Sequence, residues 1–126
     1  MPRITGDWGA CDPQNPKNRR TRASLMVEQI APDGGVTTVV IDTGPDFREQ
    51  MIRSGVTRID AVLFTHAHAD HLHGIDDIRG FFHAQRRRIP VYAEPVTMRQ
   101  RIAGATGIAH GVSHCERSRS RLRPNH

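Results

Sequence analysis

Thr65-His66-Ala67-His68-Ala69-Asp70-His71-Leu72-His73-Gly74 sets four histidines and one carboxylate within eight residues. The run before it, Asp60-Ala61-Val62-Leu63-Phe64, is short, apolar and partly β-branched or aromatic. It reads as a buried strand that delivers the polar cluster at its C-terminal end. Side chains alternate faces along an extended backbone, which puts His66, His68 and Asp70 on one side. His71 breaks the alternation. A turn into a helix after Asp70 would bring it to the same cavity from another direction, and Gly74 would permit the tight turn.

Neutral imidazoles with one carboxylate suit zinc, manganese or iron, and the lack of cysteine in the cluster argues against a closed structural zinc site. Two ions about 3.5–4 Å apart would hold a hydroxide between them and clamp the attacking and leaving oxygens of a hydrolysed ester. The competing reading is a solvated, His-rich loop.

A strand leading into His-x-His-x-Asp-His resembles the signature of the metallo-β-lactamase superfamily. That resemblance implies an α/β fold, the N-terminal half of an αββα sandwich with a mixed sheet and flanking helices. It implies that His66 and His68 bind a first metal and that Asp70 and His71 bind a second, with no catalytic residues beyond the metal ligands. The cofactors it implies are two divalent ions, zinc or manganese. His73 falls outside the signature and reads as a loop or helix-start residue. Asp42 ends an earlier strand, where the superfamily commonly has an aspartate beneath the metal site, so it is a candidate for orienting a ligand histidine. A turn-forming aspartate is the alternative.

The segment Gly6-Asp7-Trp8-Gly9-Ala10-Cys11-Asp12-Pro13, continuing through Asn15-Pro16-Lys17-Asn18-Arg19-Arg20, is similar to a branch near the phosphoribosyl cyclic phosphate phosphodiesterases. The implied activity is hydrolysis of a cyclic phosphate or related phosphodiester through a metal-activated hydroxide, with a small phosphodiester as the partner molecule. Arg19, Arg20 and Arg22 have the planar donor forks that suit a phosphate, and a solvated charge run is the plainer reading.

The 126 residues are about one ordinary domain. No apolar run approaches the roughly 20 residues that span a bilayer, and the N-terminus has no apolar signal region, so a cytoplasmic, membrane-free protein is the expectation. Cys11 and Cys115 lie far apart and read as two free thiols. The formal charge is +5, but residues 1–100 carry 13 Lys+Arg against 12 Asp+Glu, while residues 101–126 carry 5 against 1. The basic excess belongs mostly to the end of the chain and is weak support for a nucleic-acid partner.

Along the chain, residues 1–20 are rich in Gly, Pro, Asn and Asp and read as irregular. Residues 23–30 and 36–41 flank Pro32-Asp33-Gly34-Gly35, a hairpin signal. A helix is expected from Pro45 to Ser54, capped near Thr43 or Gly44 and stopped by Gly55. Ile75, Ile78 and Phe82 have helical spacing, Ile89 to Ala93 reads as a strand, and Glu94 to Ile102 is a weaker helix. Asp76 and Asp77 favour a helix start over a ligand role, and Arg86-Arg87-Arg88 reads as a solvated turn.

The expected organisation is therefore a partial metallo-β-lactamase domain over residues 1–100 and a basic tail over 101–126, disordered or the product of a reading-frame shift. By the resemblance, a later histidine for each metal and a bridging aspartate have no assignable positions. His110, His114 and Cys115 are weak substitutes. Two alternatives stand beside the hydrolase: a catalytically inactive truncated fragment with weak metal binding, and an RNA-processing nuclease relative.

Overall fold

The computed structural model describes residues 3–99 and 112–114. Strands β1 (Leu25–Ile30) and β2 (Val36–Ile41) form the expected antiparallel hairpin, in register from Leu25 opposite Ile41 to Ile30 opposite Val36. The turn between them closes through Ala31 N–H to the Gly35 carbonyl (2.8 Å) and Gly35 N–H to Asp33 Oδ1 (2.9 Å), with Gly34 at φ 84°. Glycine adopts that left-handed backbone without steric cost.

Helix α1 (Phe47–Ser54) then crosses over to β3 (Ala61–Phe64), which runs parallel to β2. The one-turn helix α2 (Ala69–Leu72), a 3₁₀ turn (Ile75–Asp77) and helix α3 (Ile78–Gln85) lead to β4 (Ile89–Ala93), parallel to β3. A short helix α4 (Pro95–Thr97) follows, and β5 (Val112–His114) adds a further parallel strand beside β4. The sheet is mixed, in the order β1-β2-β3-β4-β5. Residues 112–114 thus belong to the sheet, and the rest of 100–126 lies outside the described residues, Cys115 and His110 included.

Three local expectations differ from the structure. Helix α1 begins at Phe47 with Asp46 at its N-cap, not at Thr43 or Gly44, because Thr43 is engaged elsewhere: its N–H donates to the His71 carbonyl and its carbonyl accepts from Gly74 N–H, each at 2.8 Å. The helix expected over 75–82 opens as a 3₁₀ turn and runs on to Gln85. Such tightening is common at helix N-termini. Of the helix expected over Glu94 to Ile102, Pro95–Thr97 is α-helical among the described residues, and 100–102 lie outside them.

The core lies on one face of the sheet. Val40, Val62 and Val91 are aligned across β2, β3 and β4, and with Phe64 and Ile89 they pack against Phe47 and Met51 of α1 and Ile78 of α3. The opposite face is also apolar: Ile41, Leu63 and Tyr92 are aligned in register, with Leu25 and Val27 on β1. Leu25, Val27, Leu63 and Tyr92 are exposed among the described residues. Strands apolar on both faces are the sequence form of a sheet buried between two layers.

At the N-terminal end of β3 the chain is clamped by polar groups. Gln85 accepts from Ile59 N–H (2.7 Å) and donates to its carbonyl (2.9 Å). Asp60 accepts from Thr38 N–H (2.9 Å), Arg58 (2.6 Å) and Arg87 (2.8 Å). Burial pushes the Asp60 carboxyl up, and these donors outweigh it, so it titrates below its ordinary value. Arg87 of the basic triplet therefore braces the sheet, while Arg86 ends α3 in a left-handed conformation.

Candidate metal centre

The site forms where β2 and β3 end side by side. Asp42 follows β2, is buried, and sits at φ 62°. For a residue other than glycine that backbone costs roughly 1–2 kcal/mol, least for Asp and Asn. It is held there by its N–H donating to the Leu63 carbonyl (2.8 Å) and by Ser24 Oγ donating to its own carbonyl (2.9 Å). The twist aims its carboxylate at the loop after β3. Oδ1 accepts from Thr65 N–H (2.9 Å), and Oδ2 takes Thr65 Oγ1 (2.6 Å) and His71 Nδ1 (2.8 Å). Burial raises the Asp42 carboxyl, but the Thr65 and His71 hydrogen bonds prevail and hold it below its ordinary value.

His66 leaves β3 with its ring edge-on to His68 (centroids 4.5 Å apart) and 4.0 Å from the ring of His71. His68 is the N-cap of α2, and that single helical turn swings His71 back over the strand end. Buried Leu72 anchors the turn below. The loop is fastened to the end of β2 by the two Thr43 hydrogen bonds, and Gly44 and Gly74 allow the contact. A Cβ at Gly74 would collide with the Gly44 carbonyl oxygen and lie 2.7 Å from Phe47 Cβ, and one at Gly44 would collide with the Asp70 carbonyl oxygen.

One donor atom each from Asp42, His66 and His71 lies within 4.8 Å of the others. His68 abuts this group through His66, and Asp70 through His71, whose Nε2 is 3.5 Å from Asp70 Oδ2. His73, at the C-cap of α2, is exposed and is not one of the three grouped donors. Of Arg19, Arg20 and Arg22, the last is committed to Asp46, with its N–H at 2.8 Å and Nη1 at 3.3 Å. Gln50 pins the same segment by donating to Thr21 Oγ1 and the Arg22 carbonyl.

The chemistry of the donor set fits a divalent cation. An ionised Asp42 can only accept, so His71 donates from Nδ1, and in its neutral form the ring turns the Nε2 lone pair toward the Asp70 carboxylate. In that form two acceptors face each other, an arrangement that a cation between them would satisfy. Mixed imidazole and carboxylate donors suit zinc or manganese. Thr65 and Ser24 complete the frame and carry no pattern of their own in the sequence. The only signal for Thr65 is a hydroxyl immediately ahead of the first histidine.

Comparison with known proteins agrees with this arrangement. The Beta-lactamase superfamily domain matches residues 37–123. Over 94 residues, 75% of this chain and 18% of the relative, the sequence is 38% identical to an octanoyltransferase of Porphyromonas gingivalis. Over 62 residues, 48% of this chain and 19% of the relative, it is 37% identical to ribonuclease Z of Bradyrhizobium diazoefficiens. A solved diphosphatase of the PhnP family superposes with a TM-score of 0.68 at 38% identity, covering 84% of this chain and 43% of that one. Zinc-bound PqqB from Methylobacterium extorquens gives a TM-score of 0.55 at 24% identity over 76% of this chain and 33% of that one, a likeness of fold alone. The chain spans less than half the length of each, and corresponds to the N-terminal part of the solved neighbours. With its mixed sheet, flanking helices and histidine cluster at the strand ends, the chain belongs to the β-lactamase superfamily and has the fold of the N-terminal half of a metallo-β-lactamase domain.

Proposed function

We propose that this chain carries the histidine-rich half of a metal-dependent hydrolase site that acts on a phosphodiester, a cyclic phosphate being the favoured substrate. The observation that carries the proposal is the buried Asp42 carboxylate bonded to His71, with His66 against the same ring and Asp70 facing its free nitrogen. His66 and His68 are assigned to one ion, Asp70 and His71 to a second, zinc or manganese, with Asp42 orienting His71. Ions bound there would acidify water and polarise a phosphoryl oxygen. The protein's own part is to fix the imidazoles before substrate arrives: Asp42 sets the hydrogen of His71, α2 sets its direction, and the Gly44–Gly74 contact keeps the loop from drifting. Phosphate chemistry draws support from the similarity to a PhnP-family diphosphatase. No described helix is long and apolar enough to cross a membrane, which accords with a cytoplasmic site of action.

The test is metal content of the purified chain together with turnover of a chromogenic phosphodiester. About two ions per chain, with turnover abolished by His68→Ala, would support the hydrolase reading. Less than one equivalent of metal and no turnover would favour the inactive reading. The ribonuclease Z similarity motivates a parallel assay with RNA. Strongly salt-dependent RNA binding that survives deletion of residues 101–126 would favour the nuclease reading.

A further inference from the structure

Thr65 touches two members of the cluster at once. Its Oγ1 lies 2.6 Å from Asp42 Oδ2 and 2.8 Å from His66 Nδ1, and its N–H donates to Asp42 Oδ1 at 2.9 Å, which locks its backbone against the carboxylate. A hydroxyl has one hydrogen to give, and a carboxylate at neutral pH can only accept. The Thr65 hydrogen therefore points to Asp42. Toward His66 the same oxygen can then only accept, so Nδ1 of His66 must carry a hydrogen. A neutral imidazole has one N–H, which leaves Nε2 of His66 with its lone pair. His71 reaches the same state by direct contact with Asp42.

We infer that Thr65 is a positioning residue that relays the polarity of Asp42 to His66 and holds that ring in its Nδ1–H form, so that His66 and His71 are set to the same tautomer by one carboxylate. The hydrogen-bond polarity follows from the donor and acceptor inventory, while its consequence for metal binding rests on the site reading above. The relay joins residues 23 positions apart to adjacent ones, so it exists only once β2 and β3 are paired.

The experiment is long-range ¹H–¹⁵N correlation of the histidine rings in the metal-free full chain, at about pH 8, where an ordinary imidazole is neutral. In the wild type and in Thr65→Ser, His66 should show a protonated-type Nδ1 and a lone-pair-type Nε2. In Thr65→Val, His66 alone should move toward the Nε2–H form that imidazole prefers in water. His71 should keep its pattern, which also reports that the Asp42 side of the site is folded. Zinc affinity should fall about tenfold in Thr65→Val and recover in Thr65→Ser. A wild-type His66 with its hydrogen on Nε2, or a Thr65→Val chain with His66 unchanged, would overturn the relay. The wild-type spectrum decides the matter even if the valine variant does not fold. A wild type that shows the relay but binds no zinc would sink the metal-site reading and leave the relay standing.

Discussion

Replacing Asp42 with asparagine isolates the charge from the backbone. Asparagine has the same size and, like aspartate, tolerates the left-handed φ of 62°, so the turn after β2 is preserved. The carboxylate accepts three hydrogen bonds, two of them at Oδ2 from Thr65 Oγ1 and His71 Nδ1. In the amide, one oxygen can still serve Thr65 N–H, but an NH₂ then faces His71 Nδ1, a clash relieved only if the ring moves its hydrogen to Nε2, the nitrogen that faces Asp70. Hydrogen bonds to charged groups are worth about 1.5–3 kcal/mol each. Thr65 can turn its hydroxyl to recover part of this, which leaves a net loss of about 2–4 kcal/mol. That is a large share of the roughly 5–15 kcal/mol of an ordinary domain. Urea unfolding of the metal-free chain should show a lower midpoint with an unchanged slope. Zinc titration should show an affinity weaker by roughly 10–100-fold, because an outer partner that fixes a ligand ring has been lost. An Asp42→Asn chain with wild-type midpoint and wild-type zinc affinity would refute the reasoning.

Other outcomes follow from the same contacts. Asp60 titrates below its ordinary value in the folded chain, so its stabilising contribution is complete above the ordinary carboxylate range, about pH 4, and is lost as pH falls through the folded value. Thermal unfolding between neutral pH and about pH 3 should show a shallower acid limb in Asp60→Asn than in the wild type. Gly74→Ala should cost about 1–3 kcal/mol by overpacking against the Gly44 carbonyl and Phe47, and should weaken zinc binding by moving α2, both readable by denaturation and metal titration. Phe47→Ala removes a fully buried ring that joins α1 to Phe81 of α3 and should cost about 3–5 kcal/mol in the same denaturation assay.

What the sequence made legible is what depends on neighbours along the chain. The hairpin was readable because Asp33, Gly34 and Gly35 carry the turn chemistry within themselves. The stop of α1 was readable because Gly55 at φ 69° is the ordinary left-handed helix end. The histidine cluster was readable because its spacing is local, and only the short α2 had to be imagined to bring His71 round. The rest depends on contacts between distant segments. No pattern around residue 42 announces a buried left-handed aspartate, since the strain is imposed by Leu63, Thr65 and His71, more than 20 positions away. The same reason hid the N-cap of α1, because nothing near Thr43 says that His71 and Gly74 take up its backbone groups. It also hid the bracing role of Arg87, whose partner Asp60 lies 27 residues earlier.

Everything functional rests on the imidazoles and carboxylate between residues 66 and 71 enclosing a cation. The most direct measurement is an anomalous difference map at the zinc edge from crystals of the full chain grown with zinc. The expected result is two peaks, one at about 2.0–2.2 Å from ring nitrogens of His66 and His68 and the other at that distance from Asp70 and a ring nitrogen of His71. A map with no peak at the ends of β2 and β3, or with those rings turned apart into solvent, would contradict the metal centre.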